Sequence, residues 1–233
     1  MNLGGIQKTS LIDFPGRVSC VLFLAGCNFD CPYCHNPELV SGKQSPPVMN
    51  ASQLKAFLAK RRGLLDGVAI TGGEPTLQSD LPELCRTIKA LGFSIKLDTN
   101  GSRPAVLKKL IAEQLVDFVA MDVKTMPQQY APLICRSCKP SEIIDSIQII
   151  ISSRLPHEFR TTCVKPIVNE SVISAMANLL KGARRHALQR VQHETVNVLH
   201  PEFFKTHDWY LDDNDLERFR AIMAGHVDTC IIR

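Results

Sequence analysis

Cys27, Cys31 and Cys34 fall within eight residues in the stretch AGCNFDCPYCHN. Three thiolates this close along a chain can grip one polynuclear metal centre. The short loop wraps a single iron–sulfur cluster and leaves one of its four irons without a protein ligand. Polar Asn28, Asp30 and Asn36 surround the cysteines, which speaks against three thiols placed there only for packing. Other chemistries use parts of the same pattern. Cys31-Pro32-Tyr33-Cys34 alone is a dithiol redox motif, but a domain built on one is shorter and has no use for Cys27. Cys31, Cys34 and His35 match a c-type haem attachment site, which would require export. A structural zinc would take the three cysteines with His35 or Cys20, although His35 would have to fold back beside its neighbour Cys34.

Three further groups carry polar chemistry. Thr71-Gly72-Gly73-Glu74-Pro75 offers backbone that can approach a partner closely because two residues lack Cβ. Asp98-Thr99-Asn100-Gly101 and Asp122-Val123-Lys124 each place a carboxylate at the end of an apolar run. Taken singly, each has an ordinary reading: a tight turn, an Asn-Gly turn, a helix-capping Asp.

Short apolar runs rich in branched residues must position these groups. They lie at Val18–Leu24, Gly67–Thr71, Phe93–Thr99, Asp117–Val123, Glu158–Val164, Ala187–Gln192 and, last, Val227–Ile232. Most show little alternation, as expected of strands covered on both faces. Helical segments separate them. Asn50 or Ser52 caps one to about Arg61, Ser79 caps another that stops at Leu91 before Gly92, and Pro104 opens AVLKKLIAEQ. Ser141 begins a helix with Ile143, Ile144, Ile147 and Ile151 along one stripe; Ser171–Leu180 and Asp213–Met223 complete the set. Ser41 to Asn50 and Met126 to Pro140 read as loops. Strands alternating with helices predict an α/β fold with a parallel sheet, whose ligands gather at the C-terminal strand ends. The cysteine array and all three polar groups follow successive strands at that edge.

The chain has 233 residues, with 45% hydrophobic and 21% charged residues. That predicts a single globular domain over 1–233, with a cluster loop at 25–36 and a closing segment at about 205–233. The excess of 27 basic over 23 acidic residues is too small to point to nucleic acid or a membrane surface. No apolar run approaches the roughly 20 residues needed to span a bilayer. Nine cysteines, an odd number, with no basic start followed by an apolar run, predict reduced thiols and a cytoplasmic protein.

The array CNFDCPYC, with Tyr33 as its aromatic residue, together with TGGEP, resembles the radical S-adenosylmethionine (SAM) superfamily. QKTSLIDFPG, CNFDCPYCHNPELV, TGGEPTLQ, DTNG, MDVK and EFRTTCVKP resemble, more narrowly, the activating proteins of glycyl radical enzymes, over residues 1 to 205. The nearest pattern is that of activators of anaerobic ribonucleoside-triphosphate reductase. The resemblance implies a partial (β/α)6 barrel open on one side. It implies a 4Fe-4S cluster on Cys27, Cys31 and Cys34, with SAM chelating the fourth iron. Gly72, Gly73 and Glu74 would hold the methionine amine; Asp98, Thr99, Asp122 and Lys124 would line the pocket near its carboxylate and ribose; Tyr33 would lie along the adenine. A monovalent cation among Asp98, Thr99 and Asp122 is also implied. The implied partners are the reductase, as the glycyl radical enzyme, and an electron donor such as flavodoxin or ferredoxin, with no nucleic acid and no membrane.

Some residues fall outside this pattern. Asp13 and Arg160 are candidates for a pair across the barrel opening, against separate roles as a turn Asp and a surface Arg. Cys135 and Cys138 lie in the second loop, where two thiols lack the other ligands of a metal site; solvent-facing thiols are expected. His193, His200 and His207 read as packing or surface groups before SAM or partner contacts. The competing functions are a radical SAM enzyme acting on a small molecule, such as a 7-carboxy-7-deazaguanine synthase, and a non-catalytic zinc or electron-transfer protein.

Overall fold

The computed structural model describes residues 2–41, 48–191 and 197–233. Most of the loop expected at Ser41 to Asn50, the last residue of the strand expected at Ala187–Gln192, and His193 lie outside them. In chain order the elements are β1 (Leu3–Ser10), β2 (Ser19–Leu24), α1 (Pro37–Val40), α2 (Ala51–Ala59), β3 (Gly67–Gly72), α3 (Leu81–Ala90), β4 (Ser94–Thr99), α4 (Pro104–Ala112), β5 (Phe118–Asp122), α5 (Tyr130–Leu133), α6 (Pro140–Ser153), β6 (His157–Cys163), α7 (Glu170–Leu179), β7 (Arg185–Arg190), α8 (Pro201–Thr206), α9 (Asp213–Ala224) and β8 (Thr229–Ile232). Short 3-10 turns lie at Pro75–Leu77 and Pro127–Gln129.

The fold is α/β, with the strands in the order β1 to β8 in one sheet that has two ends and does not close. β1 is antiparallel to β2, and the other described pairings are parallel. All seven expected strands are present. The eighth, β1, was not expected: LGGIQKTS has two glycines and a polar second half, and its burial is confined to Leu3 and Ser10, with Gly4 to Ile6 half-covered and Gln7 to Thr9 exposed between them. An edge strand needs no apolar face as complete as that of a central one.

The chain divides into two compact units. The first comprises Met1–Asn28, Glu38–Thr99 and Ala105–Val119. Its strands read as near-continuous apolar runs because both faces are covered: Val21, Leu22, Leu24, Val68, Ile70, Ile95 and Leu97 are buried. α3 packs on β4 and α2 on α3, with Leu58, Leu81 and Ile88 fully buried. α2 starts at Asn50, whose side chain accepts from the Gln53 amide in a capping box, and Gly92 takes the left-handed conformation expected after α3.

The second unit comprises Phe29–Pro37, Asn100–Pro104 and Ala120–Arg233. Here α7 packs on α9 and α9 on β8. α6 buries Ile143, Ile147 and Ile150 with Ser146, so Ile150 takes the core place expected of Ile151. Among the described residues, no helix is long and apolar enough to cross a membrane.

Candidate active site

In the first unit, β2 and β3 run in register to their last residues, Leu24 opposite Gly72, so the segments that follow leave the sheet side by side. They are joined by main chain. The Gly73 amide donates to the Leu24 carbonyl (2.8 Å) and the Glu74 amide to the Gly26 carbonyl (2.8 Å). A Cβ on Gly73 would stand 2.2 Å from the Gly26 oxygen, and one on Gly72, whose φ is +119°, 2.4 Å from the nitrogen and oxygen of Leu24. The first use of these glycines is therefore to let the TGGEP turn close against the backbone leading into Cys27. Gln78, to which sequence reasoning gave no role, strengthens the junction: its side-chain amide donates to the Ala25 carbonyl (2.9 Å). Its place at the end of the quoted TGGEPTLQ was the available signal.

Glu74 is fully buried. Its Oε1 accepts from the Thr76 amide (3.0 Å), the Thr76 hydroxyl and the Thr99 hydroxyl (2.8 Å), which caps the turn at Pro75–Leu77 and ties in the end of β4. Asp98, one residue earlier, pairs with buried Lys96 on the same face of β4.

In the second unit, the Cys34 amide donates to the Cys31 carbonyl (3.0 Å), folding Cys31 to Cys34 into a turn. Neighbours hold that turn. The Asp30 amide donates to the Ile134 carbonyl (2.7 Å), and the amides of Leu199 and His200 donate to the carbonyls of Cys34 and Pro32 (3.1 Å each). His200 Nε2 also meets Asp30 Oδ1 at 3.0 Å. Phe29 sits edge-on to buried Tyr130, with ring centroids 5.6 Å apart. His200 is thus a loop-holding residue, whereas His207 stacks on Phe203 of its own helix.

Asp122 lies between two cations: Arg160 Nε donates to Oδ1 (2.7 Å) and Lys124 Nζ to Oδ2 (2.8 Å). Burial pushes the Asp122 carboxyl up, but Arg160 and Lys124 together hold it well below the usual carboxylate range. Burial opposes the Lys124 charge; Asp122, with Cys31 adding to it, raises the ammonium above its ordinary value. Lys124 Nζ also lies 5.8 Å from the centre of the Tyr33 ring, within cation–π range. Tyr33 is buried, and its hydroxyl has no hydrogen-bond partner among the described residues. Asp13 accepts the Ser10 hydroxyl within the first unit, and Arg160 donates to Asp122 within the second.

The donor set fits an iron–sulfur cluster. Cys27, Cys31 and Cys34 are outside any disulfide, Cys31 buried and the other two half-buried, on a loop anchored by main-chain bonds. A tetrahedral zinc fits less well. Cys20 lies inside β2 opposite Val68, with burial pushing its thiol up to about 11. Among the described residues, no group of three or more His, Cys, Asp and Glu side chains converges on one ion; a four-iron cluster, whose thiolates bind separate irons, does not require that convergence. The unpartnered Tyr33 hydroxyl and the cationic Lys124 beside it suit a polar, partly anionic ligand. One expectation is corrected: Cys135 is not solvent-facing but 2% exposed, because the turn after α5 folds it inward.

Residues 21–180 match the model of the radical SAM superfamily. A protein of Methanocaldococcus jannaschii, provisionally named a glycyl-radical enzyme activating enzyme, is 34% identical over 99% of this chain and 95% of its own length. A pyruvate formate-lyase-activating enzyme of Clostridium pasteurianum is 30% identical over 51% of this chain and 50% of its own. The crystal structure of Streptococcus suis SuiB bound to precursor peptide SuiA superposes with a TM-score of 0.69 at 14% identity, covering 91% of this chain and 48% of that one.

Proposed function

Because this chain belongs to the radical SAM superfamily, we propose that it is an activating enzyme that reductively cleaves SAM at a 4Fe-4S cluster and installs a glycyl radical on a partner enzyme, an anaerobic ribonucleoside-triphosphate reductase. When bound, the cluster and SAM supply the chemistry: one electron splits the sulfonium into methionine and a 5′-deoxyadenosyl radical, which takes a hydrogen atom from the partner's glycine Cα. The chain supplies binding and placement. Cys27, Cys31 and Cys34 would each hold one iron, leaving the fourth to SAM. Gly72, Gly73 and Glu74 would bind the methionine amine, Asp98, Thr99, Asp122 and Lys124 its carboxylate and the ribose, and Tyr33 the adenine side. Lys96, Lys124 and Arg160 already supply beside Asp98 and Asp122 the positive charge that a monovalent cation would bring.

The observation that carries the reading is the main-chain junction of the TGGEP turn with Leu24 and Gly26, directly before the first cluster cysteine. The proposed amine site and the backbone entering Cys27 would then be one piece, which suits a ligand bridging the two. The end-to-end relative in M. jannaschii, by its name, supports an activator over a small-molecule enzyme. The electron would come from flavodoxin or ferredoxin, and reduced thiols suit the cytoplasm.

Anaerobic reconstitution tests this. About four irons and four sulfides per chain are expected, with SAM cleaved on reduction. Mixing with the reductase should then give a glycyl doublet by electron paramagnetic resonance. A cluster whose spectrum SAM leaves unchanged would overturn the enzyme; SAM cleavage without a doublet on the reductase would overturn the partner.

A further inference from the structure

We propose that Thr161 and Tyr130 are positioning residues for Lys124: together they hold both polar groups of the peptide that joins Val123 to Lys124, and so fix where the ammonium is delivered. The clamp stands on its own; its effect on SAM binding rests on the function proposed above.

All of its parts belong to the second unit. The peptide lies just past the end of β5. Its carbonyl, that of Val123, accepts the Thr161 hydroxyl at 2.8 Å, and its amide, that of Lys124, donates to the Tyr130 hydroxyl at 3.0 Å. A peptide is a rigid plane, so one bond on each side of it sets its orientation. The Val123 amide donates to the Arg160 carbonyl (2.8 Å) and steadies the approach to that plane. Thr161 and Tyr130 are fully buried, where water cannot stand in for either hydroxyl.

Hydrogen accounting gives the clamp a direction. Thr161 has one hydroxyl hydrogen and gives it to Val123, so at its 2.9 Å contact with His186 Nε2 it accepts. His186 therefore carries its hydrogen on Nε2. Its Nδ1 has no partner among the described residues, as suits a bare ring nitrogen. The buried imidazole thus turns the Thr161 hydroxyl toward Val123.

Lys124 has reason to need such a root. Its four-carbon stem is flexible, and its head falls where the backbone and its partner put it. Nζ stands 2.8 Å from Asp122 Oδ2 and 5.8 Å from the centre of the Tyr33 ring. Asp122 is tied separately to Arg160 at 2.7 Å. Turning the clamped peptide would swing the root of Lys124 while Asp122 stayed in place, which opens the ion pair and takes the cation off the ring. The clamp sets the cation in position before a ligand arrives.

Three variants test this. Thr161→Val removes the hydroxyl and keeps the branch, Thr161→Ser keeps the hydroxyl, and Tyr130→Phe removes one oxygen and keeps the ring against Phe29. In the full chain, with or without iron, hydrogen exchange at the Lys124 amide should quicken by about tenfold or more in Thr161→Val and Tyr130→Phe while amides of β7 keep their rates. In reconstituted protein with full iron, equilibrium dialysis should show SAM bound about tenfold more weakly by these two variants and within about twofold of wild type by Thr161→Ser. Unchanged exchange at Lys124 in Tyr130→Phe would refute the clamp, and that variant decides the matter should Thr161→Val fail to fold. Quickened exchange with unchanged SAM affinity would refute its service to SAM. A serine variant as weak as the valine one would assign the effect to packing and overturn the role of the hydroxyl. Wild-type protein that binds no SAM would overturn the function proposed above, and the exchange rates would still judge the clamp.

Discussion

Two strand ends, one in each compact unit, bear candidate site residues, and they are built by opposite means. Around Gly73 the parts are joined by main-chain bonds, at separations that leave no room for a Cβ. Around Asp122 they are joined by side-chain charge: one carboxylate shared by Lys124 and Arg160, with the Tyr33 ring beside Lys124. The first kind of joint is indifferent to pH and intolerant of added atoms. The second tolerates changes of shape but depends on ionisation.

The largest effect belongs to the candidate cluster cysteines. Cys31→Ala should lower iron from about four per chain to below about one after reconstitution and reduce SAM cleavage by more than about 100-fold. Retained visible absorbance with full iron would remove the premise of the comparison.

Next is Gly73→Ala. Its methyl group meets carbonyl oxygen of the chain, which cannot rotate away as a side-chain tip can. Overpacking of this kind costs about 1–3 kcal/mol, and the displaced loop should also lose cluster iron. A melting temperature and iron content equal to wild type would show that this joint has slack.

Asp122→Asn leaves Lys124 and Arg160 facing each other and should cost about 2 kcal/mol at pH 7, less than for a fully buried pair because all three side chains keep some solvent contact. The Asp122 pKa is depressed in the fold, so its contribution is present above the ordinary carboxylate value near pH 4 and is lost as pH falls below it. Denaturant titrations should therefore show the variant's deficit shrinking toward pH 2, and a deficit constant with pH would mean the ion pairs do not stabilise this corner.

The smallest effect lies behind Asp122. His186 is fully buried, its Nε2 2.9 Å from the Thr161 hydroxyl, which donates to the Val123 carbonyl. Burial lowers its pKa to about 4, so the unfolded chain takes up the proton first and stability falls as pH drops from about 6.5 toward 4. At pH 5 that loss is about 1–2 kcal/mol, and His186→Gln should flatten the curve over this window alone. A wild-type curve already flat there would contradict the buried neutral imidazole.

The same contrast explains what was legible in the sequence. Cys27, Cys31, Cys34 and the Gly72-Gly73 pair stand out as candidates because residue type and local spacing mark them, and the seven apolar strands were legible because burial on both faces leaves an unbroken run. β1 escaped notice because an edge strand leaves no such run. Asp122 and Lys124 were identified, but not their use of Arg160, 38 residues from Asp122: the choice of partner for a guanidinium is settled by strand order, and a single sequence does not display it. Cys135 was expected to face solvent because it lies in a loop without the other ligands of a metal site, whereas its burial depends on the preceding helical turn.

The amides of Leu199 and His200 close over the carbonyls of Cys34 and Pro32, more than 160 residues downstream of the turn they hold. During synthesis, the three cysteines leave the ribosome long before the stretch that fastens them has been translated. Metal delivery to the nascent chain would meet an unfastened loop, so stable loading belongs after Leu199 and His200 have emerged, and a truncation ending before residue 198 should bind iron loosely and shed it to a chelator.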